Sequence, residues 1–239
     1  MADLSAFPIT RQYPSTRPDV LQLYGLPTPN GVKVSIMLEE TGLAYEPHLV
    51  DIMKNESWTP DYLSLNPNGK IPAILDPDGP GGEPLALFES GAILIYLAEK
   101  TGQFLSADPA TRYQTIQWLM FQMGAIGPMF GQLGFFHKFA GKDYEDKRPR
   151  DRYAAESKRL LGVLETRLAN TGGEPRDWIM DDYSIADIAT IGWVRNLVGF
   201  YDAAAIVDYD SFPQVQAWVA RAWARPAVQR GSNIPARSA

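Results

Sequence analysis

The chain has no cysteine in 239 residues, which excludes disulfides, thiolate-bound zinc and any nucleophilic thiol carried by the protein itself. Histidine is nearly as scarce. His48 and His137 stand far apart in sequence, a poor start for a metal site or a catalytic triad. Lys and Arg number 22 against 28 Asp and Glu, for a net charge of −6. No basic stripe interrupts that excess, so nucleic acid is not an expected partner. No apolar run is long enough to span a bilayer, and the first twenty residues lack a basic start followed by a continuous apolar stretch. A membrane is therefore not an expected partner, and the cytoplasm is the expected compartment. Internal repeats and low-complexity tracts are also missing. With 45% apolar and 21% charged residues, what remains is an ordinary globular chain, long enough for one large domain or two modest ones.

The densest signal lies in residues 65–99. Ile71, Ala73 and Leu75 alternate with other residues, residues 76–84 are packed with Gly, Pro and Asp, and Leu85, Leu87 and Phe88 resume the apolar run. That pattern predicts a β-hairpin with a long loop. Ser90 then reads as the N-cap of a helix in which Ile93, Leu94, Leu97 and Ala98 follow helical spacing, with Lys100 near the end. The corner Glu89-Ser90 sets backbone N–H groups and a positive dipole end beside a carboxylate. This suits a ligand carrying both an ammonium and a carboxylate, as an amino acid does. Pro72 stands at the mouth of the first hairpin strand, where it cannot donate to the ladder and where a cis bond would present the Ile71 backbone to a ligand.

Upstream, residues 1–19 are polar, proline-bearing and aperiodic, and read as an arm lying on the surface or on a partner subunit. Leu21, Leu23 and Tyr24 open a strand. Leu26-Pro27-Thr28-Pro29-Asn30-Gly31 then turns into a helix that stops at Gly42, and residues 45–51 form a second strand. Strand, helix and strand within about thirty residues make a βαβ unit with a right-handed crossover and parallel strands. A short helix near residues 60–65, followed by the hairpin and its helix, completes the thioredoxin-like order βαβ-α-ββα. Residues 101–108 read as a linker. Beyond it strand signals become scarce, and residues 110–127, 150–170, 184–198 and 212–224 read as helices, with turn-rich gaps at 134–148 and 172–182. The expected boundaries are 1–19 for the arm, 20–101 for the α/β domain and 109–239 for an all-α C-terminal bundle. Within the bundle Ser184 caps a helix while Asp187 reaches back to it, a capping box with Asp in place of Glu.

Two motifs in order, Asn66-Pro67-Asn68-Gly69-Lys70-Ile71-Pro72-Ala73 and Leu87-Phe88-Glu89-Ser90-Gly91-Ala92-Ile93-Leu94, resemble the glutathione site of the glutathione S-transferase family, most closely its bacterial and fungal Nu class. Ser184-Ile185-Ala186-Asp187-Ile188-Ala189 resembles a signature of the family's α domain, and the likeness covers most of residues 20–225. The resemblance implies the thioredoxin-like sheet arrangement, glutathione as co-substrate without a metal, glutathione disulfide as a further ligand, and a two-fold homodimer. It also implies thiol–disulfide exchange on small disulfides, with bound glutathione in place of protein cysteines. The alternative reaction is transfer of glutathione to an apolar or aromatic electrophile, or thiolytic cleavage of an ether or halide. The alternative of another class is a noncatalytic regulatory or assembly module.

By the same resemblance Glu89 meets the γ-glutamyl ammonium, Ser90 its carboxylate, the Ile71 backbone the cysteinyl unit and Lys70 the glycyl carboxylate. Thr28 and Asn30 stand at the sulfur, with Asn30 also counted among the glutathione contacts. The chain departs from the family at Ser57, ahead of Trp58, where Gln is usual. Arg152 matches a position that reaches the neighbouring subunit's site, and Met129, Phe130, Phe135 and Phe136 match a wall facing the second substrate. Each assignment has a plainer reading beside it. Thr28-Pro29-Asn30-Gly31 also makes sense as a turn starting a helix, and Glu89-Ser90 as helix capping. The Met and Phe residues also fit core packing, and Arg152 a surface ion pair with Glu145 or Glu156.

Overall fold

The structure is a computed structural model that describes residues 4–236. The chain forms two compact units: residues up to Thr101 together with the segment from Pro226 onward, and Gly102–Arg225. The first unit contains α1 (Ile9–Gln12), β1 (Leu21–Gly25), α2 (Gly31–Thr41), β2 (Tyr45–Leu49), α3 (Pro60–Leu65), β3 (Ala73–Asp76), β4 (Leu85–Phe88) and α4 (Ser90–Thr101). Its sheet has the order β2-β1-β3-β4, with β1 parallel to β2 and antiparallel to β3, and β3 antiparallel to β4. This is the thioredoxin-like arrangement. β1 is buried along its whole length, as a strand covered on both faces must be. Gly42 ends α2 in the left-handed region, its N–H returning to the Leu38 carbonyl.

The N-terminal segment is not a loose arm. Leu4 and Ile9 are buried in one cluster with Tyr24, Val50, Tyr62, Leu65, Ala73 and Leu75, so the segment closes one face of the sheet. Its polar half is tied down as well. The Glu46 carboxylate accepts hydrogen bonds from Thr16 N (3.0 Å), Arg17 N (2.8 Å) and the Ser15 hydroxyl. Burial pushes the Glu46 pKa up, but these donors outweigh it and hold the group down at about 2. Tyr13 donates to Glu56 (3.0 Å), whose same oxygen accepts from Asp51 N (2.7 Å). Proline content hid this segment's apolar contacts, which are too few to show a period.

The second unit is helical: α5 (Pro109–Phe121), α6 (Gly127–His137), α7 (Arg148–Ala169), α8 (Ile185–Arg195) and α9 (Pro213–Trp223). A π-helical turn at Gln122–Ile126 joins α5 to α6, and the gap expected from residue 134 begins only after His137. Pro128 is the second residue of α6, directly after the π-helical turn. Gly134 faces the Tyr201 ring, which an added Cβ would meet at 2.4 Å. Glycine there serves close packing rather than a turn. α6 packs on α7, α7 on α9, and α8 on both α5 and α9. The capping box at Ser184 forms, and Asp187 does more than cap. Fully buried, it accepts from Ile179 N (2.9 Å), Ser184 N (3.0 Å) and Trp218 Nε1 (2.8 Å).

α10 (Pro226–Gly231) corrects the expected boundary of the bundle, because it packs on α2 in the first unit. A Cβ on Gly231 would lie 2.6 Å from the Ile36 backbone, and the Ser35 hydroxyl donates to the Gly231 carbonyl at 2.6 Å. No local pattern in a helix of six residues announces which partner it will find.

Two stability outcomes follow. Asp187→Ala leaves buried N–H donors without acceptors, at about 1–3 kcal/mol each, so urea unfolding of the helical unit should show a loss of at least about 3 kcal/mol. Gly231→Ala overpacks the α2 contact and should cost about 1–3 kcal/mol. Gly162→Ala, whose Cβ meets nothing closer than 3.8 Å, should cost nothing in the same assay.

Candidate functional site

One row of the sheet organises the first unit's candidate site. Tyr24 of β1 is registered with Ala73 of β3, and Ala73 with Phe88 of β4. β1 and β4 therefore end at the edge where β3 begins. Three segments meet there: the turn at 26–31, the entry at 69–72 and the corner at 89–90. α2 and α4 start at this edge, so two positive helix ends lie together. The Cβ of Pro72 is 3.8 Å from where a Cβ on Gly25 would stand.

The turn is built by backbone geometry. Thr28 N donates to the Leu26 carbonyl (2.7 Å), and the Thr28 hydroxyl accepts from Gly31 N (3.2 Å). A Cβ on Gly31 would fall 1.9 Å from the Leu26 carbonyl oxygen, so the tight approach requires glycine. Asn30 is the helix N-cap but makes no side-chain cap bond; the Thr28 hydroxyl takes that role.

At the opposite corner the expected cap is displaced by one residue. Ser90 is the first residue of α4, and the Glu89 carbonyl accepts from Ile93 N (2.9 Å). Glu89 has φ +70° and is exposed. A non-glycine residue in the left-handed region costs of order 1 kcal/mol. Ser90 is buried, and its hydroxyl accepts from the Lys33 ammonium at 3.2 Å. Lys33, third residue of α2, is fully buried. Burial pulls its pKa down to about 7, with the Glu89 carboxylate pulling the other way. The sequence reading passed over Lys33, although a lysine inside Val32-Lys33-Val34-Ser35-Ile36-Met37-Leu38 was a visible signal.

Between these two, the Ile71–Pro72 peptide is cis. The Lys70 carbonyl accepts from the Tyr62 hydroxyl (2.8 Å) and Asn66 Nδ2 (2.7 Å), which fixes the backbone just ahead of Ile71. The Lys70 side chain is exposed and lies 6.0 Å from the Trp58 ring, which itself covers Gly69. Ser57 is buried, as Ser90 is.

In the second unit, Met129 and Arg152 line one open cleft of about 610 Å³ with Tyr153, Ala155, Glu156 and Arg159. Glu156 is paired with Arg159 at 2.8 Å. Phe136 stacks on Tyr153 (centroids 5.7 Å, 12°), and Phe135 meets Phe136 edge-on. Phe130 is fully buried and belongs to the core, which removes it from the expected wall. Among the described residues no group of three or more His, Asp or Glu is placed to hold a metal ion, and no helix is long and apolar enough to cross a membrane.

Comparison with known proteins agrees with this fold. Residues 19–99 match the glutathione S-transferase N-terminal domain, and residues 136–231 match a domain of unknown function. The disulfide-bond oxidoreductase YfcG of Escherichia coli is 44% identical over 212 residues, covering 87% of this chain and 92% of that protein. A glutathione transferase from Pseudomonas putida, solved with one glutathione disulfide bound per subunit, is 65% identical, with TM-score 0.94 over 98% of this chain and 99% of that one. Another, from Burkholderia graminis, solved with two glutathione molecules per subunit, is 68% identical, with TM-score 0.96 over 100% and 98%. The chain belongs to the glutathione S-transferase family.

Proposed function

We propose that this chain is a glutathione-dependent disulfide-bond oxidoreductase in which the thiolate of bound glutathione is the nucleophile. The observation that carries the reading is the meeting of two helix N-termini, the Thr28 turn and the Glu89-Ser90 corner at one sheet edge, in a chain without cysteine. A γ-glutamyl group brings the ammonium and carboxylate that Glu89 and Ser90 suit, and the Ile71 backbone takes the peptide that follows. Lys70 is within reach of the glycyl carboxylate. The sulfur then falls at the Thr28–Asn30 turn, where the α2 dipole and N–H groups favour its anionic form.

Two exchanges complete the reaction. The first thiolate attacks a disulfide sulfur, forming a mixed disulfide and releasing the other sulfur as a thiolate. A second glutathione thiolate attacks the mixed disulfide, forming glutathione disulfide and releasing the second substrate thiolate. The bound states of the two solved relatives, two glutathiones in one and glutathione disulfide in the other, correspond to the glutathione present before the first exchange and after the second. We assign the cleft beside Met129, with Phe135 and Phe136 at its margin, to the second substrate, and Arg152 to the partner subunit's site in a homodimer. Transfer of glutathione to an apolar electrophile remains the competing reaction, favoured by the Met129–Tyr153 surface. A noncatalytic role would leave the Thr28 turn as a helix cap alone.

Three outcomes test the reading. Glu89→Gln removes a charge-assisted hydrogen bond and should weaken glutathione by about 1.5–3 kcal/mol in calorimetric titration, with thermal unfolding unchanged. Disulfide reduction should persist after treatment with a thiol-alkylating reagent and its removal. In the Thr28→Val/Asn30→Ala double variant, glutathione should still bind, but turnover should fall and the bound thiol should titrate near the free value of about 8.5. Normal turnover in that variant would remove the turn from the chemistry.

A further inference from the structure

Lys33 sits where a charge is costly. An isolated ammonium in a protein interior is disfavoured, yet this one lies between α2 and α4, fully buried, with its Nζ on the Ser90 hydroxyl. An ammonium has three donors and no acceptor, so Ser90 Oγ accepts in this bond and its own hydrogen is directed away from Lys33. A ligand carboxylate received by Ser90 would therefore lie one hydroxyl group from a buried positive charge. We infer that Lys33 is a positioning residue for the ligand carboxylate at Ser90, and that carboxylate binding completes its charge by drawing a proton onto Nζ. This rests on the reading of Glu89-Ser90 as the γ-glutamyl end of the site.

The neighbouring charges support the direction. α2 also carries Glu39, paired with Arg230 of α10, and Glu40; α4 carries Glu99 and Lys100, the latter paired with Asp76 at 3.0 Å. The Glu89 carboxylate acts on Lys33 and favours its charged form. A ligand ammonium at Glu89 would weaken that support, whereas a ligand carboxylate at Ser90 would add to it. His48 is held by Gln22 (2.8 Å) and stacked on Tyr24, in the cluster that α1 and α3 cover. His137 belongs to the other unit. In the free protein burial leaves Lys33 with a pKa of about 7, inside the range where a shift on binding can be read.

The test uses S-methylglutathione, whose blocked sulfur does not titrate. Calorimetry of the wild-type protein near pH 7.5, in two buffers of different ionisation enthalpy, should register uptake of about 0.7 proton per ligand if binding raises the Lys33 pKa by about two units. Affinity should fall about four-fold between about pH 6 and 7.5, where the ligand's amine stays protonated. Lys33→Met removes a buried charge at similar volume, a change that tends to preserve folding, and should bind more weakly with no uptake and a flat pH profile. Lys33→Gln serves if the Met variant is unstable. Binding by the wild type without proton uptake, or uptake that persists in the Lys33 variants, overturns the inference. Failure of the wild type to bind glutathione or S-methylglutathione at all overturns the glutathione reading on which it rests.

Discussion

The hydrogen-bonded row Tyr24–Ala73–Phe88 is the constraint on which the candidate site depends. Because β3 runs antiparallel between β1 and β4, both flanking strands deliver their following segments to one edge, and each of those segments leads into a helix. α2 and α4 consequently start side by side, and their dipoles add rather than cancel. Residues more than fifty positions apart are thereby brought to one edge. The same edge admits the Lys70-Ile71-Pro72 entry, whose carbonyl is held by Tyr62 and Asn66. A slip of one residue in either ladder would turn Ala73 and its neighbours to the wrong face and separate the three segments.

Electrostatics at that edge is unbalanced by construction. Two helix N-termini and the Lys33 ammonium concentrate positive potential, and the carboxylate that answers them, Glu89, is exposed and sits on a left-handed backbone. Such an arrangement opposes stability and favours an anionic ligand, the usual relation between strain, perturbed ionisation and function. It also explains why Ser90 is buried under a lysine instead of serving as an ordinary exposed cap.

The helical unit divides core from surface along single elements. Asp187 gathers the α8 N-terminus, the Ile179 backbone and Trp218 of α9 into one hydrogen-bonded node, and Gly134 lets α6 meet Tyr201 closely. On the same α6, Phe130 is in the core while Met129 faces the cleft shared with Arg152. Adjacent helical residues differ by about 100° in direction, which is enough to divide the four residues read from sequence as one wall.

Local chemistry was readable in the sequence because it needs only near neighbours. Alternating apolar residues marked the hairpin, Gly42 the end of α2, Ser184 and Asp187 the start of α8, and the paired motifs at 66–73 and 87–94 marked the family and its ligand end. Absence was informative too, since a chain without cysteine carries no thiol of its own. What the sequence left undecided depends on contacts between distant residues. Leu4 and Ile9 become core only when Tyr24 and Tyr62 lie beneath them, and α10 joins the first unit because Gly231 fits against Ile36. Ser90 moves from cap to first helical residue once Glu89 takes φ +70°. Lys33 acquires meaning only when α4 brings Ser90 to its ammonium. Propensity and capping are short-range and can be read along the chain, whereas burial, and with it the cost of a charge, is set by what the fold packs around it.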